Sequence, residues 1–523
     1  MTRVTADPAT AAAAAQRVRY SHREVLQILS ALLLALLTAM VSTTVIGTAL
    51  PTIVGALGGQ EQLSWVASAA LLTMTVSTPL WGKLSDLFGR KLIFQTALVT
   101  FVSGSLLAGF APAIGELIAG RAIQGLGAGG MYALTQVILG DIVEPRERGR
   151  YAGYTGAAFG VATVAGPLLG GFIVDTDRLG WRWCFFAVIP LAVVAFAVIQ
   201  TKLDLPLVKR NARIDWLGAG AVTGGASALM LMLSMGGTEI AWSSPLTYVL
   251  GAICAVLLPV AIIAERRAAE PILPPRLFRD RTFVFASLAS AFTGMSMYAV
   301  MIFMPQYLQL VKTMTPTASG LMTLPMVIGM LVASVGSGRI VTRTGRWKLF
   351  PAVGLLLVAA GLLMLSRLDS GSSDVIIGVD VAIVGMGLGL SMQILILAAQ
   401  NAVPPADMAA ATSGVAFFRA LGGAIGVAAF GAILTSRLRD EMAAMLRAAH
   451  IGGPGHIDLG APESISRLPA PILHIVHESF TRAMETVFIV GVPIALVGFL
   501  AVLALRELPL RSGRSKVHLD PDS

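Results

Sequence analysis

The feature that most constrains this chain is the recurrence of apolar runs of 18 or more residues, broken by short polar turns. Each run is long enough to cross about 30 Å of hydrocarbon. Inside a bilayer only a helix satisfies its own backbone groups within one segment. With 55% hydrophobic and 13% charged residues and a mean hydropathy of +0.78, the chain reads as an all-α polytopic membrane protein, since soluble chains carry about 25% charged residues. Cys184 and Cys254 both lie inside apolar runs, so no disulfide framework is indicated. No cleavable signal peptide is expected. Arg outnumbers Lys 31 to 7, a bias that points to a GC-rich, bacterial coding sequence.

Fourteen spans are expected, near residues 26–48, 63–82, 92–111, 115–139, 150–173, 183–201, 215–235, 246–264, 282–309, 318–341, 349–366, 375–399, 410–434 and 484–505. With the N-terminus placed in the cytoplasm, the tails and even-numbered loops hold 27 Lys and Arg, and the odd-numbered loops hold 9. The excess of positive charge on one side puts both termini in the cytoplasm. The net charge of +9 is thus a matter of topology and is no nucleic-acid footprint.

The chain repeats itself at an offset of 260 residues. Gly125, Gly127 and Gly129 fall on Gly385, Gly387 and Gly389, Pro145 on Pro405, Gly166 on Gly426, Gly171 on Gly431, and Asp141 on Asn401. Two six-helix halves with two helices inserted between them account for this, spans 7 and 8 being the insertion. The expected organisation is a cytoplasmic tail over 1–24, a first bundle over 25–205, the inserted pair over 206–270, a second bundle over 271–506 and a cytoplasmic tail over 507–523. Transporters are commonly built from such repeats, with the substrate site at their interface. The stretch 436–483 is expected to be one large extracytoplasmic loop with a short amphipathic helix. It holds His450, His456, His474 and His477 at irregular spacing with no Cys and no tight carboxylate cluster, so a metal site or pH sensor is conceivable but an ordinary loop is the simpler reading.

Three motifs carry more specific content. Gly82-Lys83-Leu84-Ser85-Asp86-Leu87-Phe88-Gly89-Arg90-Lys91 is a basic turn between spans 2 and 3, in which the glycines permit turning and Asp86 can pair with Arg90 or a helix N-terminus. It repeats faintly at an offset of 256 as Gly338, Gly345 and Arg346, with Thr342 in place of Asp86. Arg121-Ala122-Ile123-Gln124-Gly125-Leu126-Gly127-Ala128-Gly129 lies within span 4. A buried Arg there must face protein or water, and the glycines let a neighbouring helix approach closely. On span 5, Gly153 is followed by Ala162, Gly166-Pro167 and Gly170-Gly171, a row of small residues with a proline that removes one helix hydrogen bond.

Together with Trp181–Phe186, Arg213–Gly218, Glu270–Pro274 and Phe418–Gly423, these motifs resemble the major facilitator superfamily over nearly the whole chain, and within it the fourteen-span drug:proton antiporters of the EmrB/QacA type. The resemblance implies a cytoplasmic gate at Gly82, Asp86, Gly89, Arg90 and Lys91 that latches the halves. It implies proton coupling at Arg121, and an antiporter frame at Gly153, Gly166, Pro167, Gly170 and Gly171 that packs span 5 on the opposite half. One departure matters: the family usually places an Asp and an Asn in span 1, where this chain has Ser42 and Gly47. A hydroxyl cannot titrate near neutral pH, so another group must carry the proton.

Asp380 is the clear intramembrane carboxylate. It lies six residues past Asp374, about 9 Å into span 12 at 1.5 Å per residue. The repeat sets it beside Arg121 in depth, so Asp380 is expected to titrate and Arg121 to sense it across the cavity. Otherwise Asp380 caps hydrated structure near the outer surface. Glu116 and Asp141 are lesser candidates, and the partner of the buried Arg419 is left open. A substrate cavity is expected at Ser42, Gln124, Met297, Tyr298, Met301 and Arg419, with Met304, Tyr307, Met322, Met326 and Met330 nearby. Methionine surfaces repack around varied ligands, and they also serve as ordinary core.

The expected function is proton-driven efflux of hydrophobic or amphipathic compounds by alternating access, with a monomer in a bacterial plasma membrane, small hydrophobic substrates, protons and lipid as partners, and no nucleic acid. Export of one endogenous lipid or secondary metabolite, and a transport-inactive sensor or scaffold, are the alternatives. No catalytic triad, metal-ligand set or phosphate-cradling loop is evident, so neither an enzyme nor a cofactor is expected.

Overall fold

A computed structural model describes residues 22–57, 63–143, 147–176, 179–203, 215–236, 242–268, 271–369, 371–404, 407–449 and 469–510. Sixteen α-helices occur among them: α1 His22–Leu57, α2 Leu63–Phe88, α3 Arg90–Phe110, α4 Ile114–Ile142, α5 Arg148–Asp175, α6 Trp183–Phe186, α7 Ile189–Lys202, α8 Trp216–Met235, α9 Pro245–Arg267, α10 Arg281–Leu310, α11 Pro316–Leu321, α12 Leu324–Thr344, α13 Leu349–Leu365, α14 Asp374–Ala402, α15 Met408–Ala448 and α16 Ala470–Leu503. They occupy the fourteen stretches read as spans, the sixth and tenth each divided in two. Among the described residues nine helical stretches are long and apolar enough to cross a membrane, and Leu217–Leu233 and Leu349–Leu365 are shorter apolar helices.

Side-chain caps start several helices by satisfying otherwise unpaired first-turn amides. Asp280 accepts from Thr282 and Phe283 N–H ahead of α10, Asp215 from Gly218 ahead of α8, and Ser373 from Ile376 ahead of α14. Between α2 and α3 the chain turns at Gly89, with φ of 92°, and α12 ends at Gly345, with φ of 73°. An L side chain is strained at such angles. These two glycines lie 256 residues apart, the faint offset of the loop repeat.

Buried apolar residues gather into separate cores for the two halves. One draws on α1 to α7, from Ile28 to Leu203. Two others draw on residues from Leu277 to Leu505. The repeat is visible in the packing of individual atoms. A Cβ on Gly125 would strike the Ala70 carbonyl of α2, and one on Gly385 the Met326 carbonyl of α12. Gly129 and Gly389 are pressed in the same way on the Met74 and Met330 carbonyls. On the opposite face, Gly127 abuts Ala97 and Phe101 of α3, and Gly387 abuts Gly354 and Val358 of α13. Each triple glycine thus lets one helix wedge between two neighbours at backbone contact, which any side chain would prevent.

Of the inserted pair, α8 packs at the seam, where Ala226 and Met230 join Val76 of α2 and Phe417 of α15. Helix α9 lies outside it with most of its surface exposed. Glu265 of α9 accepts from Leu273 N–H at 3.1 Å, tying the pair to the segment that leads into the second half.

The expectation of a long loop over 436–483 is corrected. Helix α15 continues to Ala448 and α16 begins at Ala470. The residues that prolong α15, Ser436–Ala448, are rich in Arg, Glu, Ala, Leu and Met, all good helix formers. Arg482 on α16 reaches Glu478 at 3.2 Å and Glu441 of α15 at 3.6 Å, clasping the two extensions. His474 and His477 lie on α16, whereas His450 and His456 lie outside the described residues, as do Pro145 and Pro405.

The turn between α12 and α13 is fastened from a distance. Glu507 accepts from the backbone N–H of Trp347 at 2.9 Å and of Lys348 at 3.3 Å, and the Trp347 indole donates to the Leu508 carbonyl at 3.0 Å. Asn401, the repeat partner of Asp141, donates to the Pro509 carbonyl at 3.1 Å.

Candidate functional site

Between the halves lies a cavity of about 370 Å³, lined by α1, α2, α4, α5, α8, α10 and α15. Its walls are mostly aliphatic and methionine side chains with Tyr132 and Tyr298, a composition and size suited to one drug-sized molecule. Met297, Tyr298, Met301 and Arg419 line it. Met230 and Leu231 of α8 also line it, and these the sequence reading missed. The signal was present in Met230 and Met232 of the inserted span.

Other expected residues sit elsewhere. Met326 and Met330 are core of the second half, packed on Gly385 and Gly389, and Met304 and Tyr307 are buried in the same core. Ser42 and Gln124 line a small adjoining void of about 10 Å³, together with Arg121. In that void the Arg121 guanidinium donates from Nε to the Val66 carbonyl at 3.2 Å and from Nη1 to Gln124 Oε1, and Gln124 Nε2 donates to Ser105 Oγ at 2.7 Å. Ser42 Oγ has no partner among the described residues. The position at which the family carries an Asp therefore faces Arg121. Here neutral acceptors stand where a carboxylate would be.

The expected meeting of Arg121 and Asp380 is not found in this conformation. Asp380 is 2% exposed on α14 and its backbone carbonyl faces Gly361 of α13. Its Oδ1 has no partner among the described residues, and it is not among the residues lining the cavity. A sequence offset bears on depth along a helix and says nothing of rotation about its axis. Glu116 is exposed on the first turn of α4.

At the end of the molecule that carries the 82–91 turn, Arg90 is the hub of a compact cluster. It donates to Asp86 Oδ1 at 2.7 Å, to Asp141 Oδ2 at 2.7 Å and to Ser85 Oγ at 2.6 Å. All three partners belong to the first half, so these bonds fasten α2, α3 and α4 to one another rather than one half to the other. One contact between the halves at this end is made by Gly82, where a Cβ would overlap Ser413 of α15. Lys91 is half-buried on the first turn of α3. Beside Gly82, Gln136 of α4 donates to Gln393 of α14 at 3.4 Å, and Gln400 donates to the Gln136 carbonyl at 3.4 Å and to Thr412 at 3.0 Å. Gln136 is one turn beyond Tyr132, so this polar contact closes the cavity at the turn end.

The span-5 frame lies on α5. Ala162 and Gly166, four apart and so on one face, meet Thr44 of α1: Thr44 Oγ1 donates to the Ala162 carbonyl at 3.1 Å, and a Cβ on Gly166 would overlap Thr44. Gly170 is buried, and the surroundings of Gly153, Pro167 and Gly171 lie outside the described residues. The packing of this frame on the opposite half is corrected at Gly166, whose neighbour belongs to its own half. Gly160, outside the frame, meets Val327 of α12 in the opposite half.

The family described as the Major Facilitator Superfamily matches residues 32–427. An uncharacterized MFS-type transporter of Mycobacterium tuberculosis, Rv1877, is 37% identical over 95% of this chain and 71% of its own length. The multidrug transporter protein MdtP of Bacillus subtilis is 32% identical over 94% of each chain. Among solved structures, the proton:xylose symporter XylE shares the fold with a TM-score of 0.61 at 15% identity, over 94% of this chain and 98% of that one. The chain belongs to the Major Facilitator Superfamily, and with it to the membrane transporters of small molecules rather than to the enzymes.

Proposed function

We propose that this protein is a proton-driven exporter of hydrophobic or amphipathic compounds. It works as a fourteen-span monomer in a bacterial plasma membrane, with both termini cytoplasmic. The observation that carries this reading is the cavity of about 370 Å³, walled by methionine, tyrosine and aliphatic side chains from both halves and closed beneath by Gln136, Gln393 and Gly82. Relatives named as multidrug transporters and efflux pumps support the export direction. In alternating access, the Gln136–Gln393 and Gly82–Ser413 contacts part on the cytoplasmic side to admit substrate and re-form before its release outside. The 82–91 cluster keeps the first half rigid during that movement.

Asp380 carries the proton in this reading. Buried carboxylates within membrane helices are costly and mark proton paths, and Asp380 is 2% exposed on α14. Arg121, held by neutral acceptors, sets the field of the first half and makes no direct contact with Asp380. The test is proton flux in everted vesicles challenged with a dye and drug panel. Substrate-dependent alkalinisation of the lumen is expected in wild type and is lost in Asp380→Asn. No substrate-dependent proton movement in wild type removes the antiport reading.

A further inference from the structure

The two buried arginines of this fold differ in a way that bears on substrate. Arg121 spends its guanidinium on the Val66 carbonyl and Gln124. Arg419, 4% exposed on α15, lines the central cavity with both Nη1 and Nη2 lacking an acceptor among the described residues. Its guanidinium carbon stands 5.4 Å from the Tyr132 ring centroid, across the cavity on α4. A guanidinium stays charged at any working pH and presents a planar fork of donors. Left unpaired in a dry site, such a charge is strongly unfavourable.

Among the described residues no Asp or Glu lines the cavity, and Arg419 is the one charged residue on its wall. The threonines on the walls do not compensate. Thr43, Thr75 and Thr78 donate their hydroxyl protons to carbonyls one turn back on their own helices, and Thr44 donates to the Ala162 carbonyl of α5, so toward the cavity they offer only acceptors. The charged donors on the described wall are those of Arg419, while most of the remaining lining is aliphatic and methionine side chains with the Tyr132 and Tyr298 rings.

We propose that the cavity selects amphipathic organic anions: small molecules with an apolar ring or chain body and one carboxylate, sulfonate or phenolate. The anionic head pairs with the Arg419 fork, and the body lies against Met230, Met297, Met301 and the Tyr298 ring. Amphipathic cations are disfavoured, because they meet a fixed like charge with no carboxylate to receive them. This inference rests on the export reading of the same cavity and narrows it to one charge class.

The test uses the full chain in zwitterionic nanodiscs and two probes that share a ring system, 1-anilinonaphthalene-8-sulfonate and N-phenyl-1-naphthylamine, which lacks the sulfonate. Binding is read by fluorescence against empty nanodiscs. A charge-assisted pair predicts that wild type prefers the sulfonate by about tenfold to a hundredfold, that Arg419→Gln brings the ratio close to one, and that Arg419→Lys, with charge but no fork, falls between. Equal affinity for the two probes in wild type, or a preference that survives Arg419→Gln, overturns the inference. Displacement of the sulfonate by phosphatidylglycerol at stoichiometric amounts also overturns it, in favour of an anionic lipid. Vesicle efflux separates this failure from that of the parent reading. Export of the neutral probe without anion preference sinks the anion inference alone, whereas absence of any export sinks both.

Discussion

Gly82→Ala isolates the contact between halves at a single atom. The added Cβ would overlap Ser413 Oγ and sit 3.0 Å from Ser413 Cβ, with the Ala409 carbonyl at an ordinary 3.4 Å. Ser413 is buried and its hydroxyl bonds back to the Ala409 carbonyl at 2.9 Å, so the side chain has little room to turn away. Overpacking of this kind costs about 1–3 kcal/mol. Both halves are rigid bundles, so the strain is relieved most cheaply by moving α2 from α15. The ratio of contacted to separated forms should then fall about 5- to 150-fold. The assay is the rate at which a membrane-impermeant maleimide labels a cysteine placed at Gln400, in a background without Cys184 and Cys254. Labelling should accelerate by at least about fivefold in Gly82→Ala. Ser413→Gly removes both offending atoms and should restore the slow rate in the double variant, because the two changes act on one contact. An unchanged rate in folded Gly82→Ala, or acceleration that Ser413→Gly does not reverse, refutes the reasoning.

Three further outcomes follow from the same coordinates. Arg90→Ala leaves Asp86 and Asp141 facing each other without their shared donor, and should lower stability by about 1–3 kcal/mol after discounting partial exposure; thermal unfolding in detergent should recover part of the loss when Asp141→Asn is added. Gly127→Val and Gly387→Val should each block folding, since both glycines sit at backbone contact with two neighbouring helices, and the yield of monodisperse protein should fall to a similar extent in the two. Ser42→Asp places a carboxylate beside Arg121 in the small void; proton flux in everted vesicles should then persist when Asp380→Asn is combined with it, and a silent double variant would show that the span-1 site is no substitute.

Much of the architecture was legible because depth along a helix is counted in residues. The helix order, the turn glycines Gly89 and Gly345 and the paired triple glycines all follow from spacing. What was hidden is rotation about each axis. Membrane helices are apolar on every face, so periodicity does not announce which side meets a neighbour. Asp380 is buried on α14 but does not line the cavity with Arg419, Gly166 of the small-residue frame meets Thr44 of its own half, and of the two readings open for Met326, cavity wall or core, the packing is that of core. The extension of α15 to Ala448 was missed for a different reason: its charged stretch ends the apolar run without ending the helix. Arg419 could be recognised as a buried cation from sequence, but that Nη1 and Nη2 find no acceptor among the described residues emerges only where seven helices converge.

The two halves of the repeat are completed at different moments in the life of the chain. Arg90 finds Asp141 only 51 residues further on, so the first turn can be fastened while most of the second half is still unsynthesised. Trp347 must wait for Glu507, 160 residues later. Until then the leading amides of α13 lack their carboxylate, and the second bundle stands unclosed at the turn end. The stretch after α16 thus works as a keystone for assembly, and a stop or fusion introduced ahead of Glu507 would trap the nascent protein with one bundle set and the other unfastened.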